Sequence, residues 1–232
     1  MKFGKKLKEL RIAKWADYYI DYQELKYILK SHLENAEHSD EEATENKESS
    51  IKIRFGGSEA KLSIVSSKKS GMKKNGKDQP HRDLPSMSVA FFTMLEDEVN
   101  LVEAFYLKMV ESLRIQLDKA SLLYHNSDDF NSLQYAKTKA MSALAHHISH
   151  DINMLVSFVE VNKLAVRKIV KKYSKRTKQP VLDKVTAAVE KGRTFMNAES
   201  LYKLRGVFSF KSAKNNTSFR IQRFRSPQGG VG

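Results

Sequence analysis

The chain has 232 residues, no cysteine, a formal charge of +14 and a pI of about 9.7. That length holds one domain, or one domain with an insertion, and supports a core without disulfides. The missing cysteines exclude a disulfide framework and thiolate chemistry, and they point to a cytoplasmic location. The opening MKFGKKLKELR lacks the apolar run of a signal peptide, and no window approaches the ~20 apolar residues of a membrane span. The excess of cations implies an anionic partner: nucleic acid, anionic lipid or a phosphorylated small molecule.

Residues 1–33 read as two helices in a hairpin. The first runs from about Gly4 to Arg11, with Leu7 and Leu10 on one side and Lys2, Lys5 and Lys6 around its start. An aromatic run from Trp15 to Ile20 follows and is expected to pack. Asp21 is a good N-cap for the second helix, and Glu24 completes an Asp-type capping box. Leu25, Ile28, Leu29 and Leu33 then form an apolar stripe, while Tyr22, Lys26 and Lys30 recur every four residues on a neighbouring face. Tyr22 falls in the first turn, where free N–H groups and the helix dipole favour an anion. Taken alone, the pair Tyr22 and Lys26 also fits a core-edge tyrosine and a snorkelling lysine.

Residues 34–85 break the pattern. Glu34 to Glu48 is acidic, Ser50 to Lys77 is rich in Ser, Lys and Gly, and Pro80 and Pro85 close the stretch. The composition predicts a mobile polar insertion. Within it, the alternation Ile51, Ile53, Phe55 and then Leu62, Ile64, Val65 fits a weak strand pair. Gly56-Gly57 reads as a glycine pair in a polar loop.

Ser86 to Gln179 contains neither Gly nor Pro, which argues for helix throughout. Phe91, Leu95, Val99, Val102, Phe105 or Tyr106, Met109, Leu113, Leu117 and Ala120 give one long helix with a coiled-coil-like seam. His125 to Phe130 is the turn-like break. A second long helix follows on Leu133, Ala136, Ala140, Leu144, Ile148, Leu155, Val159, Asn162, Val166, Ile169 and Tyr173. His146, His147 and His150 lie on it as surface or seam residues, and no metal site is expected. Pro180 stops the helix. Short helices are expected at 183–190 and 200–204. From 206 to 232 an acid-free basic and aromatic tail or linker mixes Lys211, Lys214, Arg220, Arg223 and Arg225 with phenylalanines. The fold class is therefore all-α: an N-terminal helical hairpin packed on a bundle with two long antiparallel helices, plus short C-terminal helices.

The most informative stretch is Asn162 to Lys178. Lys168, Lys171, Lys172 and Lys175 sit at i, i+3, i+4 and i+7, which lines one helix face, and no carboxylate is interspersed. Val166, Ile169, Val170 and Tyr173 occupy the opposite sector. Like charges at this spacing repel, and a polyanion would turn that repulsion into attraction. No GxSxG, P-loop, HExxH or paired-carboxylate arrangement is present, so binding rather than catalysis is expected.

The blocks MKFGKKL, YIDYQELKYILK (19–30), FFTMLEDEVNLVEAFY (91–106) and VNKLAVRKIVKKYSKRT (161–177) occur in an order that resembles the SPX domain. The resemblance covers roughly residues 1–205. It implies a basic surface that binds inositol polyphosphates, above all pyrophosphates, as a phosphate-status signal regulating a protein partner or a fused transporter or enzyme. Carried over by motif, the binding group is Tyr22, Lys26, Lys168, Lys171, Lys172 and Lys175, with Lys2 or the backbone near Phe3 adding to it. No cofactor is implied. The chain departs from the family pattern at Leu164-Ala165-Val166, where Thr-Gly-Phe is frequent, and at Ser174, where Asp is usual. The competing readings are a basic helical nucleic-acid binder and an adaptor that meets anionic membranes through the Phe/Arg tail. The aromatics fall mostly on core seams rather than beside the lysines as stacking platforms, so nucleic acid is not the expected partner.

Overall fold

The computed structural model describes residues 3–35, 48–65, 84–125 and 133–208. Helix α1 (Phe3–Leu10) and a 3₁₀ turn (Ala13–Tyr18) lead into α2 (Tyr22–Asn35). Strands β1 (Glu48–Phe55) and β2 (Ser58–Val65) form an antiparallel ribbon. The long helices α3 (Leu84–His125) and α4 (Leu133–Thr177) follow, then α5 (Leu182–Gly192), a 3₁₀ turn (Thr194–Asn197) and α6 (Glu199–Phe208). The architecture is the expected helical hairpin on two long helices, with the ribbon added. No described helix is long and apolar enough to cross a membrane.

The α3–α4 pair is the spine. Its seam is the one the apolar spacing predicts: Phe91, Leu95, Val99, Val102, Phe105, Tyr106 and Leu113 are buried from α3. On α4, Val166, Ile169, Val170 and Tyr173 are fully inaccessible, so the face opposite the lysines is the one that enters the core. Tyr173 stacks on Phe91 with ring centroids 4.8 Å apart, and its hydroxyl lies 2.6 Å from Ser88 Oγ. Further along, Trp15 and Tyr19 from the N-terminal segment meet Phe158 at 5.9 and 4.8 Å. Edge-on aromatic pairs of this kind add ~0.5–1.5 kcal/mol each beyond their buried area. α4 ends where Lys178 takes a left-handed φ of 58°, two residues before Pro180.

Part of the expected mobile insertion is structured and belongs to the core. Ile53, Phe55 and Leu62 are buried, and the ribbon packs on α3 and α5. The rest of that insertion, residues 36–47 and 66–83, lies outside the described residues, as do most of the break expected at His125 to Phe130, Lys2 and the tail from 209. Gly56-Gly57 is not a featureless loop. Gly56 has φ +61° and forms the first central position of a two-residue hairpin turn, a site that favours glycine. The turn also needs a second glycine far away. A Cβ on Gly192 would lie 1.5 Å from the Phe55 carbonyl oxygen, so the ribbon seats directly on the last turn of α5. Burial of Phe55 by this contact is a tertiary effect, and alternation alone under-predicts it.

Gly192→Ala forces the ribbon off α5 and should lower unfolding stability by ~1–3 kcal/mol in urea denaturation. Gly57→Ala, where an added Cβ meets nothing within 4 Å, should be near neutral.

Candidate functional site

Three side chains from three elements hold the two residues that precede α2. Asn162, fully buried on α4, accepts from Ile20 N at 3.0 Å and donates to the Phe158 carbonyl at 3.0 Å. Arg11 donates to the Ile20 carbonyl at 2.8 Å. Glu98 of α3 accepts from Asp21 N at 2.6 Å. Asp21 in turn caps α2, its Oδ1 accepting from Gln23 N at 2.9 Å and Glu24 N at 3.1 Å. The reciprocal half of the expected capping box therefore comes from Glu98, not Glu24. Burial pushes the Glu98 carboxyl above its ordinary value, and the Asp21 N–H bond works against that shift. Midway along α2, Arg176 of α4 donates to the Leu29 carbonyl at 2.8 Å.

This clamp sets α2 alongside the basic end of α4. Tyr22 is buried and packs edge-on against Phe3 at 5.0 Å, and Lys168 Nζ sits 5.8 Å over the same Phe3 ring. Lys26 lies close enough to Lys172 to repel it. The Lys172 ammonium is held below its ordinary pKa first by burial, then by Lys26 and Arg176. Burial pushes the Tyr22 phenol up, so it stays protonated and able to donate near neutral pH. Tyr22, Lys26, Lys168 and Lys172 are thus brought together, with Phe3 as a shared floor. None of Lys26, Lys168, Lys171, Lys172 or Lys175 makes an ion pair among the described residues.

The row is not one flat face. Lys168 and Lys172 lean toward α1 and α2. Lys171 continues the line of Glu160, Leu164 and Arg167, at +11, +4 and +7 from Glu160, and it is exposed, as is Lys175. Lys2 lies outside the described residues. Asn162 was legible as an amide in an apolar seam, but its partner was not. Glu98 and Arg11 gave no signal, because their partners are defined only by the fold. His146, His147 and His150 are exposed, with His147 Nε2 3.7 Å from Asp151. No group of three metal-ligating residues occurs among the described residues.

Comparison with known proteins agrees with this layout. The family model described as SPX domain matches residues 114–189. The phosphate system positive regulatory protein PHO81 of Saccharomyces cerevisiae is 27% identical over 197 residues, covering 82% of this chain and 14% of that protein. SPX domain-containing protein 6 of Oryza sativa subsp. indica is 24% identical over 216 residues, covering 88% of this chain and 67% of that protein. The chain therefore spans a small part of the yeast relative and about two thirds of the rice one. Among solved structures, the SPX domain of Chaetomium thermophilum glycerophosphodiester phosphodiesterase 1, in complex with inositol hexakisphosphate, matches with a TM-score of 0.58. It is 17% identical, and the match covers 89% of this chain and 94% of that one. This last likeness is one of fold.

Two outcomes follow from the geometry. Asn162→Leu strands the buried Ile20 N–H and should cost ~1–3 kcal/mol in urea denaturation. For Lys172, the folded-state pKa lies below the unfolded one, so the unfolded chain binds more protons between them. Its contribution to stability then rises as pH climbs through that window toward 10.5, and the penalty is fully present at neutral pH. Lys172→Met should therefore leave the thermal midpoint of the unliganded protein at pH 7 unchanged or higher, and a clear drop would contradict the assignment.

Proposed function

We propose that this chain, which is similar to SPX domains in sequence and fold, is a phosphate-status sensor that binds inositol polyphosphates or pyrophosphates reversibly. The ligand's phosphates dock on Tyr22, Lys26, Lys168, Lys171, Lys172 and Lys175, with Lys2 added from the start of the chain. One observation carries this reading: Tyr22, Lys26, Lys168 and Lys172 meet at the α1–α2–α4 junction, where Lys26 and Lys172 repel each other and neither pairs with a carboxylate among the described residues. Ammonium groups act there as point charges, which suits a ring of phosphates without fixed planar geometry. The site is largely exposed charge, so affinity falls with added salt.

Further support comes from the relatives. The fungal SPX domain of the same fold is described in complex with inositol hexakisphosphate, and the yeast relative is named for the phosphate system. On this reading residues 1–205 form the sensor unit, and 206–232 are a tail or linker. Occupancy of the site biases the surface that a protein partner or a fused effector domain meets. The setting is cytoplasmic, or the cytosolic face of a membrane where the effector is a membrane protein.

Calorimetric titration of inositol hexakisphosphate tests the site. Replacing Lys171, Lys172 and Lys175 together with Ala should weaken binding by about 10- to 100-fold, at ~0.5–1 kcal/mol per exposed cation. An unchanged affinity discards this surface as the binding site.

A further inference from the structure

On the other side of α4 from α2 lies a separate cleft of about 300 Å³. Glu160, Lys163, Leu164 and Arg167 of α4 form one wall, Thr186 and Glu190 of α5 the other, and Met196 closes it. The α4 wall spans seven residue steps, or ~10 Å at 1.5 Å per residue. That matches about three residues of extended chain. The lining carries two cations and two carboxylates, so a polyanion gains no net attraction there, unlike at the lysine row. Leu164 is half-buried and Met196 buried, which gives the cleft an apolar floor.

Part of the polar lining is already committed. The Tyr202 hydroxyl donates to Glu160, and Lys163 Nζ donates to Tyr202 at 3.3 Å while lying 5.3 Å over its ring. Burial, then Glu160, pushes the Tyr202 phenol up to about 12, which keeps it a fixed donor. Thr186 Oγ1 donates to the Leu182 carbonyl at 2.7 Å, leaving its lone pairs as acceptors. Arg167 and Glu190 differ. Both are exposed, they line the same cleft with opposite charge, and neither forms an ion pair among the described residues.

We propose that this cleft docks a short extended peptide segment of a partner protein, presenting an acidic side chain to Arg167, an apolar one to Leu164 and Met196, and a basic one to Glu190. A nucleic-acid strand offers no cation for Glu190.

The test uses the full isotope-labelled chain and the capped tetrapeptide acetyl-Asp-Leu-Leu-Lys-amide, followed by amide chemical shifts. Shifts are expected at Leu164, Arg167, Glu190 and Met196. Arg167→Glu or Glu190→Arg alone should weaken the peptide by about two- to fivefold, the worth of one exposed charge pair. The double variant should recover binding, because the peptide can reverse direction. Four results overturn the proposal: no shifts at millimolar peptide, shifts confined to 168–175, equal binding of an all-acidic tetrapeptide, or the same shifts from free lysine. Titrating inositol hexakisphosphate into Glu190→Gln and into Lys26→Ala/Lys172→Ala keeps the two sites apart. The first should hold its affinity within about twofold, and the second should lose it while still binding the tetrapeptide.

Discussion

The site depends on how the backbone at Ile20 and Asp21 is held. These two residues link the 3₁₀ turn to α2 and have no ladder partner of their own. The Ile20 N–H bonds to Asn162 of α4, the Asp21 N–H to Glu98 of α3, and the Ile20 carbonyl accepts from Arg11 as well as from Tyr22 N, while the Asp21 carbonyl takes the first helical bond, from Leu25 N. Each bond is modest in net worth, but the buried one from Ile20 to Asn162 would be costly to leave unmade. Together they leave the start of α2 one position relative to α4. Everything the lysines do jointly with Tyr22 and Lys26 rests on that position.

The core and the cation cluster oppose each other along α4. Val166, Ile169, Val170 and Tyr173 draw the helix inward, while Lys168 and Lys172 are pressed toward Phe3, Tyr22 and Lys26. Hydrophobic burial wins because four side chains are completely removed from water, whereas the lysine repulsions are partly screened. The electrostatic penalty remains in the free protein, where it favours an anionic ligand.

Much of this was legible before the structure. A stretch of ninety-odd residues without Gly or Pro, with apolar positions three and four apart, can hardly be anything but long helices. Lysines at i, i+3, i+4 and i+7 must share a face of such a helix. What sequence could not supply was pairing across distance. Glu98 took over a capping bond that local spacing assigned to Glu24. The ribbon at 48–65 looked weak because its buried face is completed by Gly192, more than a hundred residues later. The lysine row looked uniform because a helical wheel does not say which neighbour stands where. Contacts with Phe3 and Lys26 are what distinguish Lys168 and Lys172 from the exposed Lys171.

The bond from Ile20 to Asn162 also fixes an order of events. It joins positions 142 apart in the chain. At ~5–20 residues per second, the ribosome needs on the order of ten seconds to make the intervening polypeptide. During that interval the first helices exist without the wall they will lean on. A nascent chain therefore has the early tyrosine and lysine but not the α4 lysines beside them, and the proposed anion site becomes a property of the finished molecule alone.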